Sequence, residues 1–309
     1  MDNNDPLVSI IIPTHNRHEL LTRALRSVFA QTFEDYELII IDDGSSDATR
    51  ACIDKLADGR IIYIRHEKCR GGAAARNTGI RQARGKYISF LDDDDEWLPE
   101  KLNVQVKKME SVTDKAGVIY CGCEIIYPGE KGYVRVCCPE YRGDLRYELL
   151  KGTTLCGGLS AVLARKECFE KAGMFDEALS SCQDWDMWKR IADHYEFEFV
   201  PDVLSRNYIH YRQISTDYGS LIPGRTKMIR KHMKDLARHP RILVSHLKRL
   251  GKINCLNGTW REAFYWFREA ARIKKTEIFK ISAWCVFEFP VIRFFSRFKK
   301  FSRFRGDRD

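Results

Sequence analysis

The 309-residue sequence predicts an α/β fold: a mostly parallel central sheet flanked by helices, followed by a helical C-terminal extension. Three observations carry that reading. Strand-length runs such as Leu7-Val8-Ser9-Ile10-Ile11-Ile12 and Glu37-Leu38-Ile39-Ile40-Ile41 are almost continuously apolar, as strands are when helices cover both faces of a sheet. They alternate with helix-period stretches in the order β-α-β-α-β-α-β, which argues a right-handed parallel arrangement. Polar clusters fall where the predicted strands end: Pro13-Thr14-His15-Asn16, Asp42-Asp43 and Asp92 to Asp95. Ligands of such sheets bind beyond the carboxyl ends of the strands, so the clusters should line one edge of a Rossmann-like sheet.

Each element has its own warrant. Pro13 ends the first strand, and a helix follows with apolar positions Leu20, Leu21, Ala24, Leu25, Val28 and Phe29. After Glu37–Ile41 comes Asp42-Asp43-Gly44-Ser45-Ser46-Asp47, where Ser45 or Ser46 can cap a helix running to about Leu56. A third strand spans 60–65. Gly71-Gly72 opens a helix carrying Ala73, Ala74, Ala75, Ile80 and Ala83, and Gly85 stops it. Tyr87–Leu91 is the fourth strand. A helix from Pro99 to about Glu110 and a strand over 117–127 follow, then a polar stretch over 128–152 with no firm period. Residues 153–164 are small and apolar, a short helix ends at Gly173, and a helix begins at Gln183. Phe197–Val200 is a late strand that turns at Pro201.

Composition is that of a globular protein, 44% hydrophobic and 31% charged, with a net charge of +9 concentrated in the last forty or so residues. Eleven cysteines and no recognisable signal peptide point to a reducing compartment. No run is long enough for a membrane span. Cys121-x-Cys123 and Cys137-Cys138 lack the spacing of a zinc ribbon or finger and read as free thiols.

Asp92 to Asp95 form the most charged turn. Adjacent like charges repel unless a cation neutralises them or all face water. Asp92 and Asp94, two apart, can point the same way, an oxygen-rich half-site of the kind Mg²⁺ or Mn²⁺ shares with substrate phosphates. Taken alone, the run reads better as a solvated acidic turn. Asp43 alone reads as a helix cap, His15 as a loop histidine, and Arg76-Asn77 as an exposed helix face. Together they offer a carboxylate for a base N–H, a basic group for phosphates and a metal site.

Four stretches resemble, in order and spacing, the signatures of family 2 glycosyltransferases with the GT-A fold. They are Pro13-Thr14-His15-Asn16-Arg17, Asp42 to Asp47, Ala75-Arg76-Asn77-x-Gly79 and Phe90-Leu91-Asp92-Asp93-Asp94-Asp95-x-Trp97-x-Pro99. The resemblance covers roughly residues 7 to 215 and is firmest over the first hundred. It implies a nucleotide-sugar donor, an inverting transfer and a divalent cation, Mn²⁺ or Mg²⁺. It places Pro13, Thr14, His15, Asn16 and Arg17 at the donor, with Pro13 and His15 lining the base, and Arg76 and Asn77 nearby. Asp43 would accept from uracil N3–H of a uridine nucleotide. Asp92 and Asp93 would reach the ribose or the metal, and Asp94 with Asp92 would hold the metal that bridges the diphosphate.

Further along, Gln183-Asp184-Trp185-Asp186-Met187-Trp188 looks like the family's catalytic motif, whose first aspartate is the general base; that makes Asp184 the candidate. Gln183 stands where an acidic residue is usual. Alone, Asp184 reads as a helix N-terminal carboxylate. Asp184, Trp188 and Ile191 should share one face, with Asp186 pointing elsewhere. Asn207 to Ser215 resembles the family's closing segment, with Ile214 in place of its histidine; His210 and Arg212 are candidate substitutes.

The division expected is a catalytic domain over 1–222, its nucleotide-sugar half about 7–100 and its acceptor half about 101–222, and a helical region over 223–309. Residues 251–271 resemble one tetratricopeptide-like helix pair. Phenylalanines interleaved with Lys and Arg over 278–304 suit an interfacial helix on anionic lipid. The expected protein is therefore cytoplasmic and peripheral on a membrane's cytoplasmic face, acting on a glycan or lipid-linked saccharide acceptor, with no nucleic-acid partner. The rival readings are a non-catalytic nucleotide-sugar-binding scaffold and a sugar nucleotidyltransferase. The first strand's end lacks the Gly-rich basic loop that the nucleotidyltransferase requires.

Overall fold

The computed structural model describes residues 5–56, 58–128, 133–153, 155–210 and 217–277, with Ile281 and Trp284. The chain divides into two compact units, Met1–Thr216 and Asp217–Asp309. The expected division at 222 falls inside the first helix of the second unit.

The first unit opens with β1 (Val8–Thr14), α1 (His18–Phe29), β2 (Tyr36–Asp42), α2 (Thr49–Asp54), β3 (Ile61–Arg65), α3 (Gly72–Gln82) and β4 (Tyr87–Phe90). These strands pair in the order β3-β2-β1-β4, all parallel, as their apolar runs imply. Alternate residues of β1 feed two separate cores. Ile10 and Ile12 pack with Leu21, Leu25 and Val28 of α1, whereas Ile11 packs with Ala75 and Ile80 of α3. Each fully buried aliphatic side chain contributes about 1.5–3 kcal/mol. Gly79 lets α3 lie directly on β1, since a Cβ there would stand 2.5 Å from Ile11 Cγ2.

β1 does not stop at Pro13 but runs on to Thr14. Ile11 O accepts from Leu91 N on the β4 side and Thr14 O accepts from Asp43 N on the β2 side. The missing N–H of Pro13 therefore faces the β4 side, where pairing has already ended at Ile11–Phe90. No ladder bond is lost.

Then follow β5 (Asp95–Trp97), α4 (Lys101–Ser111), β6 (Ala116–Ile126), β7 (Val134–Cys137), α5 (Arg146–Leu150), a 3₁₀ turn (Gly158–Ala161), β8 (Val162–Arg165), α6 (Lys166–Ala172), α7 (Gln183–Ile191) and β9 (Glu196–Tyr208). The sheet continues from β4 through β8, β6 and β9 to β5, with β7 beside β6. Here only β6 and β9 are parallel; β8, β5 and β7 pair antiparallel. The sheet is thus parallel in its first half and mixed in its second. β9 also runs through Pro201, where the sequence implied a turn. Its register against β6 slips between Tyr120–Phe199 and Gly122–Val203, so the proline sits in an irregularity that spares it a ladder position.

The second unit holds α8 (Tyr218–Lys231), α9 (Met233–Ala237), α10 (Pro240–Asn257) and α11 (Trp260–Ile273). Asp217 caps α8 through Gly219 N and Ser220 N. α10 and α11 pack on one another, with Phe267 seated against Gly251 and packed with Cys255, Ala263 and Trp284. Among the described residues no helix is long and apolar enough to cross a membrane. The basic aromatic tail lies outside the described residues apart from Ile281 and Trp284.

Candidate active site

The loops after β1 and β2 are stitched together at the strand ends. Asn16 adopts φ +52°, a left-handed conformation that asparagine tolerates better than most residues. Its amide N–H donates to Ser45 Oγ at 2.9 Å, and its side-chain oxygen accepts from Ser46 N at 2.7 Å. His15 Nδ1 donates to Asp43 O at 2.8 Å, leaving Nε2 to accept from Asn16 Nδ2. Pro13 is half-buried at the strand end. Ala48, not Ser45 or Ser46, stands at the N-cap of α2, and Asp47 before it accepts from Thr49 N and Oγ1; these bonds and those from His18 hold its pKa down at about 2 despite partial burial.

Asp43 is buried, and its carboxylate accepts from His66 Nδ1 (2.7 Å), Gly71 N (2.7 Å), Arg70 N (2.9 Å) and Cys69 Sγ (3.1 Å). Against the opposing cost of burial, these bonds hold its pKa below the usual range. The carboxylate shapes the loop leading into α3, and a nucleobase N–H would have to compete with these donors.

The acidic turn joins β4 to β5, and each of its four carboxylates has its own partners. Asp93 turns towards β1 and accepts from Thr14 Oγ1 at 2.8 Å and Arg17 Nη1 at 3.1 Å. Burial outweighs the Arg17 charge and pushes its pKa up to about 6. Asp94 accepts from Arg17 Nη1 at 3.2 Å and pairs with His210 Nε2 at 2.6 Å. Asp92 pairs with Arg76 Nη2 at 2.5 Å. Asp95 caps no helix. It lies in β5, buried, and accepts from Ser160 Oγ and Asn207 Nδ2, both at 2.6 Å. The same Ser160 Oγ accepts from Asp92 N at 3.1 Å.

Carboxylate oxygens of Asp92, Asp94 and Asp95 lie within 4.8 Å of one another. Arg76 and Arg17 offset part of the charge of Asp92 and Asp94, burial raises the pKa of Asp95, and the all-oxygen set suits a hard divalent ion such as Mg²⁺ or Mn²⁺. The residues present therefore fit the expected metal. Asp95 joins the expected pair because β5 folds back against β9. His210, one of two candidates for the closing segment, is beside Asp94; Arg212 and Ile214 lie outside the described residues. Sequence reasoning missed Arg23. It donates to Asp94 O at 2.5 Å and stacks 3.7 Å from the Tyr208 ring centroid. Its only signal was a polar position within the amphipathic pattern of α1.

α7 brings the candidate base to the same place. Cys182 precedes the helix at φ +61°, a strained conformation for a side chain of this kind. Asp184 follows in the first turn and is partly exposed, yet desolvation still raises its pKa; Arg76 pulls the value down and Asp92 pushes it up. Arg76 therefore sits between the acidic turn and α7, its Nη1 donating to Gln183 Oε1 at 3.3 Å. Asp186 points elsewhere, as expected: it is fully buried and paired with Arg190 at 3.0 Å. Asn77 is buried with its amide engaged, donating to Phe175 O and Glu177 Oε1, both at 2.9 Å, and accepting from Phe175 N at 2.8 Å. It reaches the site only through the segment it anchors. Arg190 holds that segment's other end by donating to the carbonyls of Ala172, Gly173 and Met174.

A parallel half-sheet with loops gathered at its strand ends, and an acidic turn passing into a mixed half-sheet, define the GT-A class of fold. Solved structures agree. The structure is similar to Staphylococcus aureus TarS 1–349 in complex with UDP-GlcNAc, with a TM-score of 0.59 at 15% identity, covering 87% of this chain and 91% of that one. It is also similar to the mannosyltransferase PcManGT of Pyrobaculum calidifontis in complex with GDP-Man and Mn²⁺, with a TM-score of 0.59 at 18% identity, covering 94% and 84%.

Residues 9–172 match the family model described as glycosyl transferase family 2, and the chain belongs to that family. It is 33% identical over 219 residues to an uncharacterised glycosyltransferase of Rickettsia prowazekii, covering 67% of this chain and 65% of the relative. It is 39% identical over 123 residues to the Escherichia coli UDP-Glc:α-D-GlcNAc-diphosphoundecaprenol β-1,3-glucosyltransferase WfgD, covering 40% of this chain and 48% of that one. The chain spans less than two thirds of the length of both of these relatives.

Proposed function

We propose that the protein transfers a sugar from a nucleoside-diphosphate donor, a UDP-sugar, to a hydroxyl of a glycan or lipid-linked saccharide, with inversion at the anomeric carbon. The observation that carries this reading is the convergence of Asp92, Arg76, Gln183 and Asp184 at the strand ends. It supports a base on α7 beside the turn that would hold the donor's diphosphate. A UDP-sugar donor and a lipid-linked acceptor are also what the name of the E. coli relative describes.

Each residue then has a task. The loop built by Pro13, Thr14, His15 and Asn16 borders the nucleoside, and Asp43 shapes the loop opposite. Arg17 orients Asp93 and Asp94. Asp92 and Asp94, with Asp95 beside them, would hold Mn²⁺ or Mg²⁺; when bound, the ion offsets the charge of the departing diphosphate. Asp184 accepts the proton of the acceptor hydroxyl as that oxygen attacks the anomeric carbon, and the nucleoside diphosphate leaves from the opposite face. Desolvation raises the pKa of Asp184 and so strengthens it as a base, while the Trp185 backbone N–H and the Arg76 charge oppose that rise. The aromatic and basic C-terminal sequence supports a peripheral position on a membrane, where a lipid-linked acceptor would be met.

A donor panel tests this reading without knowledge of the acceptor. UDP- and GDP-sugars are incubated with Mn²⁺ or Mg²⁺, and nucleoside diphosphate released by slow hydrolysis is scored. Release from one UDP-sugar, lost on chelation, is expected. Binding without release from any donor and with any acceptor would support a scaffold instead.

A further inference from the structure

Three of the cysteines that read as isolated thiols converge far from one another in sequence. Cys123 lies in β6, Cys137 is its direct cross-strand partner in β7, and Cys156 comes from the segment just before the 3₁₀ turn. One sulfur from each lies within 4.8 Å of the other two, and Cys123 Sγ and Cys156 Sγ are 3.8 Å apart. With metal–sulfur bonds of about 2.3 Å in a tetrahedron, adjacent sulfurs stand ~3.8 Å apart. Cys123 and Cys156 are buried, and Cys137 is half-buried.

We infer that Cys123, Cys137 and Cys156 form a site for a thiophilic d¹⁰ cation such as Zn²⁺, separate from the oxygen-lined site of the aspartates. Soft thiolates select Zn²⁺ or Cu⁺, whereas carboxylates select Mg²⁺ or Mn²⁺, so the two sites discriminate by donor chemistry. Binding exchanges three S–H protons for three metal–sulfur bonds, so affinity rises with pH. The site is structural. Four residues beyond Cys156, Ser160 bonds both Asp92 N and the Asp95 carboxylate, and Gly157 O accepts from Asn207 Nδ2. Fixing Cys156 against β6 and β7 steadies the segment on which the acidic turn rests.

Full-length protein purified without chelator, supplied with Zn²⁺ and then desalted, tests this by elemental analysis. About one zinc per chain is expected, falling roughly tenfold or more in Cys123→Ser and Cys156→Ser and unchanged in Cys138→Ser and Asp94→Asn. Metal-stripped protein titrated with Co²⁺ should develop thiolate-to-cobalt charge-transfer absorption, which oxygen ligands do not give. Should the serine variants fail to fold, the wild type decides: bound Zn²⁺ should slow alkylation of Cys137 but not of Cys138, read by peptide mass spectrometry. Absence of the charge-transfer band, zinc retained equally by Cys156→Ser, or alkylation of Cys137 indifferent to zinc would each overturn the assignment.

Discussion

Arg76 and Asp92 form an ion pair of 2.5 Å in which the arginine side chain is only 11% exposed. The other arm of the guanidinium reaches Gln183, the residue before Asp184. One side chain thus joins the acidic turn to the helix that carries the proposed base. A glutamate at position 183 would pair with Arg76 and draw part of its charge from Asp92; glutamine leaves that charge to the two aspartates.

Removing that charge should act on the base. Arg76 lowers the pKa of Asp184, so Arg76→Met should raise it further. Because the base works ionised, the acid limb of the kcat/KM profile should move to higher pH, with kcat falling by about 10–100-fold. An unmoved acid limb would mean that the two groups are not coupled.

His210 donates to Asp94, the proposed metal ligand, and groups that orient such a ligand tune metal affinity. His210→Ala should raise the Mn²⁺ concentration needed for half-maximal activity by about tenfold, with a smaller change in kcat at saturating metal. Metal titrations of both proteins at one donor concentration measure this. Equal half-saturation values would remove His210 from the metal's surroundings.

Asn77 should behave differently from a donor contact. Asn77→Ala leaves the Phe175 backbone groups buried and unpaired, at a cost of about 1–3 kcal/mol, read as a lower urea midpoint. The donor KM should change little compared with kcat, because the amide acts on the site through residues 175–177. A large rise in donor KM with unchanged stability would contradict this.

Much of the fold was legible in the chain, for physical reasons. Continuous apolar runs require a sheet covered on both faces, and β1 to β4 form one. The strand-end clusters could then only gather along one edge. The second half was not legible, because β8 is four residues long and its side chains carry no alternation that distinguishes parallel from antiparallel pairing. Asp95 did not stand out as a third member of the site because its partners, Ser160 and Asn207, lie far along the chain. The thiol cluster was invisible for the same reason: local cysteine spacing says nothing about ligands drawn from three segments.

Lys101 gives the stability a pH dependence. Its ammonium is fully buried, donating to Ser89 Oγ and Gln105 Oε1 and lying 4.0 Å from the Trp97 ring centroid. Burial pulls its pKa down to about 7, whereas an unfolded lysine titrates near 10.4. Between those values the unfolded chain holds the proton more tightly, so stability should rise with pH, by up to ~1.4 kcal/mol per pH unit. Lys101→Met should flatten that slope. Urea melts at about pH 7 and pH 9 with equal slopes in both proteins would exclude it.

The central claim is that Asp184 takes the acceptor's proton while the acidic turn holds the donor. Asp184→Asn tests it most directly, with donor affinity and transfer measured on the same preparation. The donor Kd should stay within a few-fold of wild type while transfer falls by about 10²–10⁴-fold, the usual contribution of a positioned base. Near-normal turnover in Asp184→Asn would contradict the account.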